Sequence, residues 1–152
     1  MLRSATRLDL EKVASWISTG RDCELWAGWR VSFPIDRECL PVAIEFTETN
    51  AFSLIDGDEL VAFGQLVKKN SRRGHLARLI VNPLVRGKGH GETLVRALLE
   101  RARKESFERV SLNVDASNLP AVSLYLKLGF MDATRPADEP ESPGTRYMES
   151  AA

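Results

Sequence analysis

From Gly89 to Ser106 the apolar residues Leu94, Val95, Leu98, Leu99 and Ala102 recur every three or four positions. Glu92 with Arg96, and Glu100 with Lys104, set opposite charges one turn apart on the other side, a pattern that predicts an amphipathic helix. Upstream the pattern is different. Ala51 to Ile55 and Leu60 to Val67 are strand-like runs on either side of Asp56-Gly57-Asp58, whose Asp-Gly pair suits a hairpin turn. Asn70 to Gly74 is a second turn, and the run His75 to Val81 follows it, so three successive strands predict an antiparallel meander. Val110 to Val114 returns as a strand after the long helix. A strand, helix, strand order predicts a parallel neighbour reached by a right-handed crossover.

The ends of the chain read less regularly. Leu2 to Ala5 suits a first strand, and Asp9 stands as N-cap for a helix carrying Val13, Trp16 and Ile17 on one face until Gly20 breaks it. Arg21 to Trp29 suits a short second helix ending near Gly28, and Phe33-Pro34 and Leu40-Pro41 mark an irregular crossing. After the last parallel strand, Ser117 or Asn118 caps another helix, Pro120 sits in its first turn, and Gly129 stops it. Arg135 to Gly144 holds three prolines and reads as a loop, with Thr145 to Met148 returning as a last edge strand. The fold class is α/β with a mixed sheet, and 152 residues suit a single domain.

Composition narrows the functions. Twenty-one basic and twenty-one acidic residues cancel, so no overall field draws the chain to nucleic acid or to an anionic membrane. No apolar run approaches the ~20 residues of a membrane span, and Met1 to Thr6 lacks the apolar core of a signal peptide, so a cytoplasmic location is expected. Cys23 and Cys39 form neither a CxxC pair nor a disulfide framework and read as two buried thiols in a reducing compartment. With only His75 and His90, no histidine-rich metal site is expected.

Arg86-Gly87-Lys88-Gly89-His90-Gly91 follows the apolar run Leu79-Ile80-Val81 and opens the long helix. Glycines let several backbone amides converge on an anion at the positive end of a helix, and Arg86 and Lys88 add charge, so this turn suits a phosphate. The spacing is neither that of a Walker P-loop nor the Gly-x-Gly-x-x-Gly of dinucleotide folds. A second stretch, Asn113 to Phe130, reads as a strand, a polar break and a helix closed by glycine.

Together the two stretches resemble the GNAT superfamily of acetyl-CoA-dependent N-acetyltransferases. Arg86, Gly89 and Gly91 match its pyrophosphate signature, and Asn118, Leu124-Tyr125 and Leu128-Gly129-Phe130 match its later motif. The resemblance implies the GNAT fold, in which antiparallel N-terminal strands precede a splayed parallel pair, here His75 to Val81 and Val110 to Val114. It implies acetyl-CoA as cosubstrate, held by Leu79, Ile80, Val81, the turn Arg86, Gly87, Lys88, Gly89, His90 and Gly91, and by Asn118 and Tyr125. The implied chemistry is direct attack of a primary amine on the thioester, with Tyr125 protonating the departing thiolate. A count back along the strand places His75 where some members carry a base; Glu45, Glu48 or a water relay are the alternatives. The acceptor is a small molecule or a peptide, held by acids such as Asp22, Glu24, Glu45 or Glu48. Trp16, Cys23, Trp26, Trp29 and Phe33 wall its pocket or pack the core. A monomer or homodimer is expected, and the rival reading is a catalytically weak acyl-CoA sensor or partner subunit.

Overall fold

Gly57, at φ 61°, turns the chain so that Asp56 pairs with Glu59, and the hairpin so made is the start of the sheet. The computed structural model describes all 152 residues. Its strands are β1 (Leu2–Ser4), β2 (Ala51–Asp56), β3 (Glu59–Lys68), β4 (Arg73–Val81), β5 (Arg109–Asp115), β6 (Met131–Asp132) and β7 (Thr145–Ala151). They form one seven-stranded sheet in the order β1-β2-β3-β4-β5-β7-β6, in which β4 and β5 are the parallel pair. This is the mixed α/β sheet that the strand and helix periods predict.

Five helices cover it: α1 (Arg7–Ser15), α2 (Gly20–Ala27), α3 (Leu40–Ala43), α4 (His90–Lys104) and α5 (Leu119–Lys127). The apolar stripe of α4 packs Leu94, Leu98 and Ala102 against Leu66, Leu76 and Leu112 on one face of the sheet. On the other face Leu10 and Val13 of α1, Trp26 of α2 and Leu40 of α3 close over Phe63 and Ala51. A fully buried leucine such as Leu98 contributes about 2–3 kcal/mol by leaving water. No helix is long and apolar enough to cross a membrane.

Several local expectations need correction. Asp9 is not the cap of α1: Thr6 is, its Oγ1 accepting from Asp9 N at 3.1 Å, while the Asp9 carboxylate accepts from Thr6 N at 3.0 Å. The two residues make a reciprocal capping box, and Asp9 is its third helical position. Gly20 does not end α1; it opens α2 behind the cap Thr19, and α2 runs only to Ala27 before a 3₁₀ turn at Gly28–Arg30. The irregular crossing contains the single turn α3, with Pro41 near its start where no amide is needed. β7 runs to Ala151 and lies between β5 and β6, so the short β6 takes the edge in its place. Of the two thiols, Cys23 is buried and Cys39 is exposed.

Two irregularities in β4 position everything that follows. Its pairing with β3 passes from Gln65 opposite Ala77 to Phe63 opposite Ile80, so β4 carries one extra residue there. Arg78, at φ 51°, takes up that bulge, and Gly64 faces it; a Cβ on Gly64 would come within 2.5 Å of Leu79 Cδ2. The parallel pairing also stops early. It runs from Arg73 opposite Arg109 to Leu76 opposite Leu112, after which β4 pairs with β3 alone and β5 with β7 alone.

Candidate functional site

Where β4 leaves β5, a cavity of about 570 Å³ opens between Leu79 to Val81, the start of α4 and the face of α5. The chain approaches it through a 3₁₀ turn at Pro83–Val85, capped by Asn82, whose Oδ1 accepts from Leu84 N at 3.0 Å. Gly87 and Gly89, both at φ 82°, then swing the backbone round so that α4 begins at His90. A Cβ at either glycine would meet nothing within 4 Å, so backbone angle rather than space requires glycine, at about 1–2 kcal/mol for an L side chain. Gly89 caps α4 without any side-chain acceptor. The first amides of α4 therefore keep their hydrogen-bonding capacity, at the positive end of the helix dipole.

Gly91 differs from its neighbours. Its Cβ would stand 3.6 Å from Leu124 Cδ2 and 3.7 Å from Val81 Cγ2, ordinary contact for the protein. Gly91 lines the glycine-loop cavity. Arg86 lines the same space with its Nε donating to Val81 O at 3.3 Å. Asn118 caps α5 through Oδ1 to Ala121 N at 3.4 Å and also lines it. Tyr125 packs edge-on against Phe130, centroids 5.9 Å apart, and burial pushes its phenol up to about 12. A phenol in that state keeps its proton at neutral pH and can donate it. Of the residues expected to hold a cofactor, only Lys88 and nothing else lies outside the cavity; it is exposed on the turn.

A second cavity of about 520 Å³ lies on the other side of α2, and Leu25 and Trp26 line both. His75 is here, not beside Tyr125. Its Nδ1 is 2.7 Å from Ser111 Oγ, and its Nε2 is 3.8 Å from Glu139 Oε1. Glu139, 7% exposed, lies in the loop before β7 and meets Arg73 Nη2 at 3.2 Å and Lys69 Nζ at 3.5 Å. Burial first, then the cations Lys69, Arg73, Arg78 and Arg135, presses the imidazole down to about 3. A group so weakly basic is neutral at physiological pH and takes up an ammonium proton poorly. The base expected at His75 is thus a neutral hydrogen-bonding member of a buried ion network.

The alternatives divide. Glu45 lines this charged cavity, paired with Arg30 at 3.2 Å, and Glu24 lines it too, whereas Glu48 lines neither cavity and Asp22 faces the glycine loop. Trp26 and the 74%-exposed Trp29 wall the charged cavity, Trp16 the other, and Phe33 neither. Glu139 escaped the sequence reading. It stands among prolines in a loop, and its partner Arg73 is 66 residues away, so no window of sequence contains the pair.

Known proteins share this fold. Residues 21–130 match the model of the acetyltransferase (GNAT) family. Mycothiol acetyltransferase of Corynebacterium efficiens is 33% identical over 141 residues, 88% of this chain, and the chain spans 46% of that relative's length. The crystal structure of spermidine N-acetyltransferase from Vibrio cholerae in complex with CoA and spermine shares the fold, with a TM-score of 0.77 at 21% identity over 99% of this chain and 94% of that one. Ribosomal-protein-S18-alanine N-acetyltransferase from Escherichia coli gives a TM-score of 0.70 at 25% identity over 99% and 92%. The matched residues run from α2 to the end of α5 and take in the parted strands, the glycine turn and Tyr125: the chain belongs to the acetyltransferase (GNAT) family.

Proposed function

We propose that this chain moves an acetyl group from acetyl-CoA to a primary amine by direct attack, with the cosubstrate in the glycine-loop cavity and the acceptor in the charged one. The junction of the two cavities carries this reading. β4 leaves β5 after Leu76; Ala77 and Arg78 line the charged cavity, and Leu79, Ile80 and Val81 line the other. One strand thus borders both reactants.

Acetyl-CoA, when bound, supplies the acetyl thioester. The open amides of α4's first turn and the Arg86 guanidinium suit its pyrophosphate, since both the helix dipole and the fixed charge favour an anion there. Leu79 to Val81, free of β5, offer main-chain groups to the pantetheine amides in the manner of strand addition. Tyr125, which lines this cavity and is protonated at neutral pH, donates the proton that the departing thiolate takes. With His75 so weakly basic, the acceptor's ammonium proton leaves to solvent through the open charged cavity. The molecules in the relatives' names, mycothiol, spermidine and a ribosomal-protein alanine, differ in chemistry, so the names point to a reaction and not to one substrate.

Calorimetry of acetyl-CoA binding, combined with CoA-thiol release over a panel of amines and peptides, tests the reading. Binding by the wild type, lost in Gly89→Glu, together with turnover of at least one amine, supports it; failure of the wild type to bind sinks it. Tight binding without turnover on a broad panel would favour an acyl-CoA sensor, a reading to which the weak basicity of His75 also lends itself.

A further inference from the structure

The charged cavity holds one cation that has no directly paired carboxylate. Of the three that line it, Arg30 pairs with Glu45 at 3.2 Å and Lys69 with Glu139 at 3.5 Å, whereas Arg78 makes no ion pair. A partly buried charge without a partner is costly, and where such a group survives in a cleft it marks a place that a ligand completes.

Arg78 is also held firmly. Its Nε donates to Gln65 Oε1, and Gln65 is fully buried with its own Nε2 donating to Ile44 O at 3.1 Å and to Asn50 Oδ1 at 3.3 Å. Those two acceptors fix which end of the Gln65 amide faces the guanidinium. The Arg78 carbonyl accepts from Trp26 Nε1 at 2.9 Å, and its backbone sits at φ 51° in the bulge. Its Nη1 and Nη2 make no bond within the chain, and no fully buried side-chain nitrogen lacks a partner, so both reach solvent in a residue that lines the open cavity. Burial first, then the nearby Arg30, lower this guanidinium to about 10, and Glu45 opposes them only in part.

We propose that the acceptor carries a carboxylate, taken by Nη1 and Nη2 of Arg78, so that the substrate of the transferase reading above is an amino acid or a short peptide with a free C-terminus. The two remaining donors form a planar fork that matches the two oxygens of a carboxylate. A dianion such as a phosphate meets a cavity whose walls also carry Glu24, Glu45, Asp115, Glu139 and Glu141, and is repelled. A dipolar molecule fits both signs. Its ammonium lies among the acids, of which Glu141 makes no ion pair, and its carboxylate meets Arg78.

The test compares the common L-amino acids and alanine di- and tripeptides, each against its own C-terminal amide. Thiol release is measured with acetyl-CoA, and binding of the same compounds by ligand-observed NMR without it. Wild type is expected to prefer acids over amides by ~10-fold or more, the worth of a charge-assisted pair, and Arg78→Gln to reduce that preference to about twofold. Acetyl-CoA affinity stays within about twofold, because Arg78 lines the other cavity. Arg78→Lys keeps the charge without the fork and is expected to reduce the preference about threefold, which decides the matter if Arg78→Gln does not fold. Whether amino acids or peptides respond identifies the source of the carboxylate. Equal treatment of acids and amides by the wild type, or a preference that survives both variants, overturns the proposal. Absence of acetyl-CoA binding would instead sink the transferase reading, while the NMR comparison still decides the carboxylate site.

Discussion

In the glycine-loop cavity most of the lining is main chain, glycine and apolar side chain, with Arg86 and Tyr125 among its few polar groups, whereas the charged cavity, of similar size, is lined by several carboxylates and cations that pair with one another or with charges beside it. The first is chiefly a property of backbone path, which Gly87 and Gly89 set and to which Arg86 and Tyr125 add one charge and one proton donor. The second is a property of mutual neutralisation. Glu139 carries the balance of Arg73 and Lys69, so removing one member leaves another charge stranded. Damage to the two is expected to differ in kind, affinity in one and stability in the other.

The sharpest division comes from Gly89→Glu. A side chain at φ 82° and a negative charge at the phosphate end of α4 are expected to weaken acetyl-CoA binding by more than ~100-fold in calorimetry, with only about 1–2 kcal/mol of strain in urea unfolding. Glu139→Gln is expected to do the reverse, losing about 3 kcal/mol in the same unfolding measurement while acetyl-CoA affinity holds. An unchanged stability would mean that the network is ornamental. Tyr125→Phe is expected to slow kcat ~10- to 100-fold without moving the acetyl-CoA Kd; a change below about twofold would reduce Tyr125 to a packing residue.

The charged cavity also carries a pH signature. His75 is held at about 3 in the folded chain against an ordinary 6.5, so the unfolded chain takes up its proton first as pH falls. Its contribution is full above pH 6.5 and lost progressively toward pH 3. Between pH 7 and pH 5 the wild type is expected to lose about 2 kcal/mol more than His75→Gln in denaturant titrations, and parallel curves would refute the assignment. The smallest effect is expected of Gly91→Ala. An added methyl in ordinary contact leaves the helix as stable or more so by up to ~1 kcal/mol, yet narrows the cavity and weakens acetyl-CoA several-fold.

The same contrast explains what could be read from the chain. The α4 stripe, the Asp56–Gly57 hairpin and the glycine turn are local patterns, each decided by residues within one helical repeat or one turn, and the structure reproduces them. The parallel pair followed from strand, helix, strand order. What escaped depends on distant partners. β6 is two residues long and exists because β7 offers it an edge, α3 is a single turn, and Thr6 displaced Asp9 as cap because Asp9 is also drawn to Arg3 and to Ser53 Oγ at 2.9 Å. The charged cavity joins α2, β4, β5 and the loop before β7, and the position of Glu139 within it cannot be read from any one of them.

The bulge at Arg78 gives β4 a sensitivity that single substitutions do not test. Side chains in a strand alternate faces residue by residue, and a bulge absorbs one extra residue so that the alternation resumes in register beyond it. Deleting Arg78 would leave Ala77 opposite Gln65 and Ile80 opposite Phe63 in regular pairing, so the faces beyond the bulge would stay as they are, while the carbonyl that meets Trp26 and the guanidinium that lines the charged cavity would be lost. The extra residue is therefore a local detour: it turns one carbonyl and one guanidinium out of the ladder while the strand on either side keeps its frame.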